Sequence, residues 1–263
     1  MNKEERPPLP EQTPNNLKRL IQKVWATDPA KRPGFADLTN LFDLVTCTAL
    51  INLGPVEDKN GLKLWKNNFM KNDTLRDRVT FEEFCNCYCQ AGGIEYDAED
   101  INFKCLKTAL CKDDKTVTIE EYGVLLQRFG PLDDYSAFLT RIVNLLKKSW
   151  FHGEISAEDS EKIVMNSSKN GTFLVRFSSD PGSFAITSKS LNGNLKHYRI
   201  YHKAGLDYLL GQIECKSLDD IMKKYYKELG LKYPAPGSPY ESLFNTEKKK
   251  KQQQMSSGYQ VLN

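Results

Sequence analysis

The sequence predicts an α+β protein in two parts, an all-helical N-terminal half followed by an antiparallel sheet flanked by two helices. From about residue 15 to 148 the apolar residues recur three and four apart, as on one face of a helix. After Trp150 the pattern changes to the short β-rich runs "TFLVRFS", "SFAITSKS" and "LKHYRIY". Helix-start signals stand on either side of those runs.

In the first half, "LTNLFDLVTCTAL", "NFKCLKTAL" and "YSAFLTRIVNLL" each carry a buried helix face. In the last of these, Tyr135, Phe138, Leu139, Ile142, Leu145 and Leu146 line one side. The short passage Lys147 to Trp150 predicts close packing between the halves. Ser156 then opens a helix as its N-cap, with Glu158 and Asp159 placed favourably against the helix dipole. Pro181-Gly182 and Asn192-Gly193 separate the strands that follow, the second pair being a strong hairpin signal. A second helix starts at Ser217, has Asp219 and Asp220 in its first turn, and aligns Leu218, Ile221, Met222 and Tyr225 on one face. Beyond about Leu229, "YPAPGSPYESLF" reads as loop and the chain end as disordered.

Composition limits the function classes. The 263 residues are 40% apolar and 11% aromatic, enough for real cores. Thirty-seven basic residues against thirty-four acidic ones give a net charge of +3, too balanced for nucleic acid or a membrane surface as the main partner. No window approaches the roughly 18 apolar residues of a membrane span, and the proline-rich N-terminus of mixed charge is no export signal. Seven cysteines without framework spacing fit thiols in a reducing cytosol, so the expected location is cytoplasmic. Cys85, Cys87 and Cys89 invite a metal reading, but no His lies near them and no second Cys pair completes a tetrahedral set. No metal and no cofactor are expected. The one basic block, Lys248 to Lys251, reads as a solvated tail.

The chemistry concentrates in "GTFLVRFSS", residues 171 to 179. Strand alternation turns Phe173, Val175 and Phe177 one way and Leu174, Arg176 and Ser178 the other. A guanidinium within an apolar run needs a partner. On the neighbouring strand the same rule groups His197 with Arg199, and Tyr198 with Ile200. Hydroxyls of Ser178, Ser179 and Ser183 are close in sequence, and no Asp or Glu on these strands neutralises the cations. A fixed guanidinium fork suits a phosphate monoester, which carries about −1.5 to −2 charge at neutral pH. The plainer alternative is an Arg176 facing solvent on a half-exposed strand.

"WFHGEIS", "GTFLVRFS", "LKHYRIY" and "SLDDIMKKYYKE" occur in this order and together resemble the consecutive signatures of an SH2 domain over about residues 150 to 244. The resemblance implies a sheet between two helices, with phosphotyrosine held on one side and the following peptide residues read on the other. Arg176 would make the bidentate phosphate contact, with Ser178 and the loop from Ser179 to Ser183 adding donors. His197 would support the pocket. Arg199 would flank the phosphotyrosine ring, a cation–π contact worth about 0.5 to 2 kcal/mol. Tyr198, Ile200 and Tyr208 would shape peptide specificity, and Trp150 would belong to the core. Many SH2 domains carry an arginine where this chain has Ala157, so the pocket loses one cation, for which Arg199 would compensate.

"LKRLIQKVWATDPAKRPGFADL", Leu17 to Leu38, resembles the closing segment of a protein-kinase catalytic domain. No Gly-rich loop, H-R-D or D-F-G motif accompanies it, so no phosphoryl transfer is expected of this chain. Trp25, Pro29, Arg32 and Phe35 read as structural; in a complete kinase Arg32 would pair with a glutamate near the activation segment. "RVTFEEF" and "TVTIEEY" form a weak repeat resembling the second halves of EF-hand loops. Aligned on Val79, the first loop runs from Asn72 to Glu83 but has Arg76 where an oxygen ligand belongs and Asp77 where glycine belongs. The second has Leu110 first and Lys112 and Lys115 inside it, although Asp114 and Glu121 remain. The repeat therefore reads as a scaffold without calcium, similar to the helical linkers that pack against SH2 domains in STAT and Cbl proteins.

The expected division is a disordered 1–14, a kinase C-lobe remnant at 15–48, an EF-hand-like linker at 49–148, an SH2 domain at 149–244 and a disordered tail at 245–263. The whole order resembles the C-terminal portion of slime-mould SH2-bearing protein kinases. Three functions are weighed. The first is a non-catalytic module docking onto tyrosine-phosphorylated proteins or onto a phosphotyrosine of its own, such as Tyr259. The second is the targeting end of a kinase whose catalytic core lies outside this sequence or has been lost. The third, calcium sensing, needs metal-dependent changes in the linker.

Overall fold

A computed structural model describes residues 7–9, 21–35, 38, 58–71, 74–113, 115–180, 182–203 and 207–245. Most of the expected N-terminal disorder, the helix read in "LTNLFDLVTCTAL", the calcium-loop residues Asn72 and Asp114, and the basic tail with Tyr259 lie outside these residues. Of the kinase-like segment, Asp28 caps a 3-10 turn at Pro29–Lys31, and Arg32 Nε donates to the Ala26 carbonyl at 2.9 Å. Phe35 is exposed.

The linker is built on capped amphipathic helices. Asp58 caps α1 (Lys59–Phe69), accepting from the Gly61 N–H at 2.8 Å, and its other oxygen accepts from the Leu132 N–H at 2.8 Å. That buried carboxylate is thereby satisfied and joins distant turns. After the short β1 (Met70–Lys71) and β2 (Thr74–Leu75), β3 (Arg78–Thr80) leads into α2 (Phe81–Gly92). Thr80 caps α2, and Gly93 ends it in the left-handed region that a side chain would resist. Next come α3 (Ile101–Leu110), β4 (Thr116–Thr118), α4 (Ile119–Phe129) and α5 (Tyr135–Leu146). The predicted face of α5 is buried at Phe138, Leu139, Ile142, Leu145 and Leu146.

Short strands interrupt the helical half. β3 and β4 pair antiparallel, Val79 opposite Val117, with both valines buried and their neighbours turned outward. The two halves of the sequence repeat thus meet as a miniature sheet. The carboxylates at the twelfth loop positions are engaged with protein groups. Arg76 grips Glu83 through two contacts of 2.5 and 2.9 Å, and Glu121 closes a capping box with Thr118. On α2, Cys85 and Cys89 point into the core, where burial pushes the Cys85 thiol far up and that of Cys89 up to about 11.

The second half is a sheet with a helix on each face. Its strands are β5 (Phe151–Gly153), β6 (Thr172–Phe177), β7 (Phe184–Lys189), β8 (Leu195–Lys203), β9 (Asp207–Leu210), β10 (Ile213–Cys215) and β11 (Tyr233–Pro234). The order is β10-β9-β8-β7-β6-β11, with β5 also on β6. Helices α6 (Ala157–Met165) and α7 (Leu218–Tyr225) start at the expected caps, Ser156 and Ser217. The meander from β6 to β10 is antiparallel, whereas β5 and β11 run parallel to β6. The segment read as loop after Leu229 therefore supplies an edge strand, where Pro234 is tolerated because no neighbour needs its missing N–H.

Burial divides the sheet faces as alternation requires. Leu174 packs with Val164 of α6 and Ala235. Phe173, Val175 and Phe177 join α7 and the linker in one continuous core that also holds Trp65, Phe84, Tyr122 and Phe138. Phe129 at the end of α4 meets Phe177 edge-on at 6.3 Å, and Lys148 pairs with Asp219 at 2.5 Å. With each such ring worth about 1.5–3 kcal/mol of burial, the two halves are held as one packed body. Among the described residues no helix is long and apolar enough to cross a membrane.

Candidate functional site

Strand β6 places Arg176 on the α6 face, the one position of the strand that is only half-buried. Its Nη1 donates to the Phe177 carbonyl at 3.0 Å, while its buried Nε has no hydrogen-bond partner. No carboxylate lies within ion-pair distance of Arg176 among the described residues, whereas Arg128 and Arg199 nearby both have one. Burial and the neighbouring Arg199 charge lower its pKa, with Glu161 opposing. A guanidinium remains charged regardless. A buried N–H left unsatisfied costs about 1–3 kcal/mol, and more on a charged group, so the site favours an incoming acceptor.

Arg176 opens onto a cleft of about 320 Å³. Ser178 and Ser179 line it beside Arg176, Ser156 and Ala157 bring the start of α6, and Arg128 and Glu154 close another side. The α6 N-terminus adds partial positive charge there. The loop after β6 is folded by its own backbone: the Ser178 N–H donates to the Ser183 carbonyl at 2.9 Å, and the Ser183 N–H to the Asp180 carbonyl at 3.1 Å. Ser183 is buried in that turn and is not part of the cleft wall.

Register explains the rest. Arg176, Ala185 and Arg199 form one row across β6, β7 and β8, and Leu174, Thr187 and His197 form the next. His197 Nδ1 lies 3.2 Å from Thr187 Oγ1, which lies 3.0 Å from Ser160 Oγ. Because Ser160 Oγ donates to the Ala157 carbonyl at 2.6 Å, the chain runs in one direction and makes Nδ1 the donor. His197 Nε2 faces Glu161 at 3.1 Å, and Arg199 Nη1 meets Asp180 at 2.7 Å. These strands themselves carry no acid, as the sequence shows, but α6 brings Glu161 to His197 and the loop brings Asp180 to Arg199. Arg176, Ser178 and Ser179 thus share the cleft, while His197, Arg199 and Ser183 are not among the residues that line it.

The opposite face corrects one assignment. Ile200 is 0% exposed and belongs to the core, so in this structure it offers no surface to a peptide. Tyr198 is half-buried. Tyr208 lies within β9, stacks on His202 at 4.5 Å, and lines a cavity between α5 and the start of α7.

Arg128 and Glu154 escaped the sequence reading. Arg128 comes from α4 of the linker, its guanidinium 3.7 Å over the Phe177 ring and its Nη1 2.5 Å from Glu154 Oε1. No local pattern marks it, because only the packing of the halves brings it here.

Residues 150–225 match the family SH2 domain. Over 248 residues the chain is 32% identical to dual specificity protein kinase shkB of Dictyostelium discoideum, covering 92% of this chain and 37% of that protein. Dual specificity protein kinase shkA of the same organism is 30% identical over 267 residues, covering 92% of this chain and 49% of its own length. Human Ras GTPase-activating protein 1 is 30% identical over 104 residues, 37% of this chain and 10% of that protein. The chain therefore spans less than half the length of these relatives.

Proposed function

Since residues 150–225 form an SH2 domain, we propose that this chain docks onto tyrosine-phosphorylated proteins through the cleft at Arg176, as a non-catalytic signalling module. The observation that carries this is the buried Nε of Arg176, a charged donor lacking an acceptor and with no carboxylate within ion-pair distance among the described residues. The phosphate accepts from that guanidinium and from the hydroxyls of Ser178 and Ser179, replacing water with fixed, charge-assisted bonds. Arg199 flanks the ring and His197 braces α6 against the sheet through Thr187. Tyr198 reads the residues that follow. In this reading 149–244 is the binding unit, 49–148 an EF-hand-like linker without calcium, and 15–48 a kinase C-lobe remnant, all working in the cytoplasm. Ligands are phosphorylated proteins, including a phosphotyrosine of the chain itself. Nucleic acid has no place in it.

A second reading follows from the likeness to dual specificity kinases of which the chain spans 37 to 49%. Here the same cleft is the targeting end of a kinase, bringing catalytic lobes to substrates already phosphorylated on tyrosine. Both readings share one test, an array of tyrosine-phosphorylated peptides beside unphosphorylated copies. Binding confined to phosphorylated spots supports the mechanism, and equal binding to both sets ends it. An upstream coding sequence separates the two readings.

A further inference from the structure

We propose that Arg128 of the linker supplies the second cation of the phosphate cleft, exchanging Glu154 for the phosphate when the ligand enters; this rests on the phosphotyrosine reading above. The start of α6 brings Ser156 and Ala157 to the cleft wall, neither of them a cation, and Arg128 stands in the same wall from another direction. Its side chain is 15% exposed and fixed over Phe177, the residue that follows Arg176 on β6. Its carboxylate partner is more open to water, with Glu154 53% exposed and contacting Nη1 through one oxygen. An exposed partner of this kind contributes little and is readily replaced by a dianion.

The neighbours of Arg128 hold it in place. The Gln127 carbonyl accepts from His202 Nδ1 at 3.3 Å, and a side chain at Gly182, in the loop that carries Ser179 and Ser183, would sit 3.0 Å from that same carbonyl. The end of α4 is thus wedged between β8 and the phosphate-facing loop. Arg128 is positioned before the ligand arrives, so its ordering cost is met by folding. Phosphate affinity in turn depends on the linker being docked.

The test titrates phenyl phosphate, which presents ring and dianion without peptide sequence, into the full chain by nuclear magnetic resonance. Arg128→Gln is expected to weaken binding about ten- to hundredfold, the loss of one charge-assisted hydrogen bond. Ala157→Arg added to Arg128→Gln recovers most of that loss, by restoring a cation from α6. Glu154→Gln, at an exposed position, tightens binding about two- to fivefold by removing the competing carboxylate. Should Arg128→Gln fail to fold, Glu154→Gln decides, and unchanged or weaker binding by it overturns the proposal. If Arg176→Ala abolishes binding while folded Arg128→Gln leaves it unchanged, the role of Arg128 is refuted and the phosphotyrosine reading stands. If Arg176→Ala also binds like the wild type, both fall.

Discussion

Arg176 and Arg199 face the same side of the sheet across Ala185, yet Arg199 is held by Asp180 at 2.7 Å while Arg176 meets no carboxylate among the described residues. The asymmetry assigns different weights to two otherwise similar cations. Arg199 is exposed and already paired, so Arg199→Ala is expected to weaken phosphopeptide binding far less than Arg176→Ala does. Isothermal titration of one phosphopeptide against the variant checks this; a loss as large as that of Arg176→Ala would reverse the ranking.

One core shared by linker and SH2 domain implies shared stability. Phe138 is 0% exposed in the linker, and Phe138→Ala should cost about 3–5 kcal/mol. Denaturation followed by circular dichroism and by amide signals of β6 to β8 should show both halves unfolding together at lower denaturant. A sheet that keeps the wild-type midpoint would mean the halves are independent.

The junction is also sensitive to acid. His202 has its pKa lowered from 6.5, chiefly by burial and further by Arg141, against the bond to the Gln127 carbonyl. His152 is lowered too, by burial, against its bond to the Ala235 carbonyl and the Glu241 charge. Both rings are neutral above about pH 7 in either state of the chain. As pH falls through 6.5 the unfolded chain takes up protons first, so stability drops until the depressed folded values are passed. Unfolding free energies from urea titrations at pH 7.5 and 5.5 should differ by at most about 1.4 kcal/mol per pH unit per histidine, and His202→Gln should flatten the slope. A stability that rises on acidification would contradict this.

Calcium should leave the linker unmoved. Glu83 is gripped by Arg76 and Glu121 by its own helix cap, so neither is poised to receive an ion. A ligand at a hundred times its Kd raises stability by about 2.7 kcal/mol. Millimolar calcium is therefore expected to produce no shift in melting temperature, and a clear rise would restore the sensor reading.

What the sequence disclosed was local. The caps Ser156 and Ser217 act within one turn, and the alternation around Arg176 is set by the strand itself, so both were legible. Val79 and Val117 were visible as a repeat, though their pairing as a small sheet was not. Ile200 looked available because alternation gives a face without saying which layer covers it. Tyr233–Pro234 and Ile213–Cys215 are too short to show a period, and they exist as strands because a neighbour offers free backbone groups. The acids on His197 and Arg199 come from α6 and a loop, and Arg128 comes from another half of the chain. Such arrivals are tertiary facts.

The most direct measurement is the affinity of the chain and of Arg176→Ala and Arg176→Lys for one tyrosine-phosphorylated peptide and its unphosphorylated twin. The account predicts that only the phosphorylated peptide binds, that Arg176→Ala loses about 2–5 kcal/mol, and that Arg176→Lys recovers little, since an ammonium lacks the planar fork. Equal affinity of the wild type and a folded Arg176→Ala for the phosphorylated peptide would contradict it.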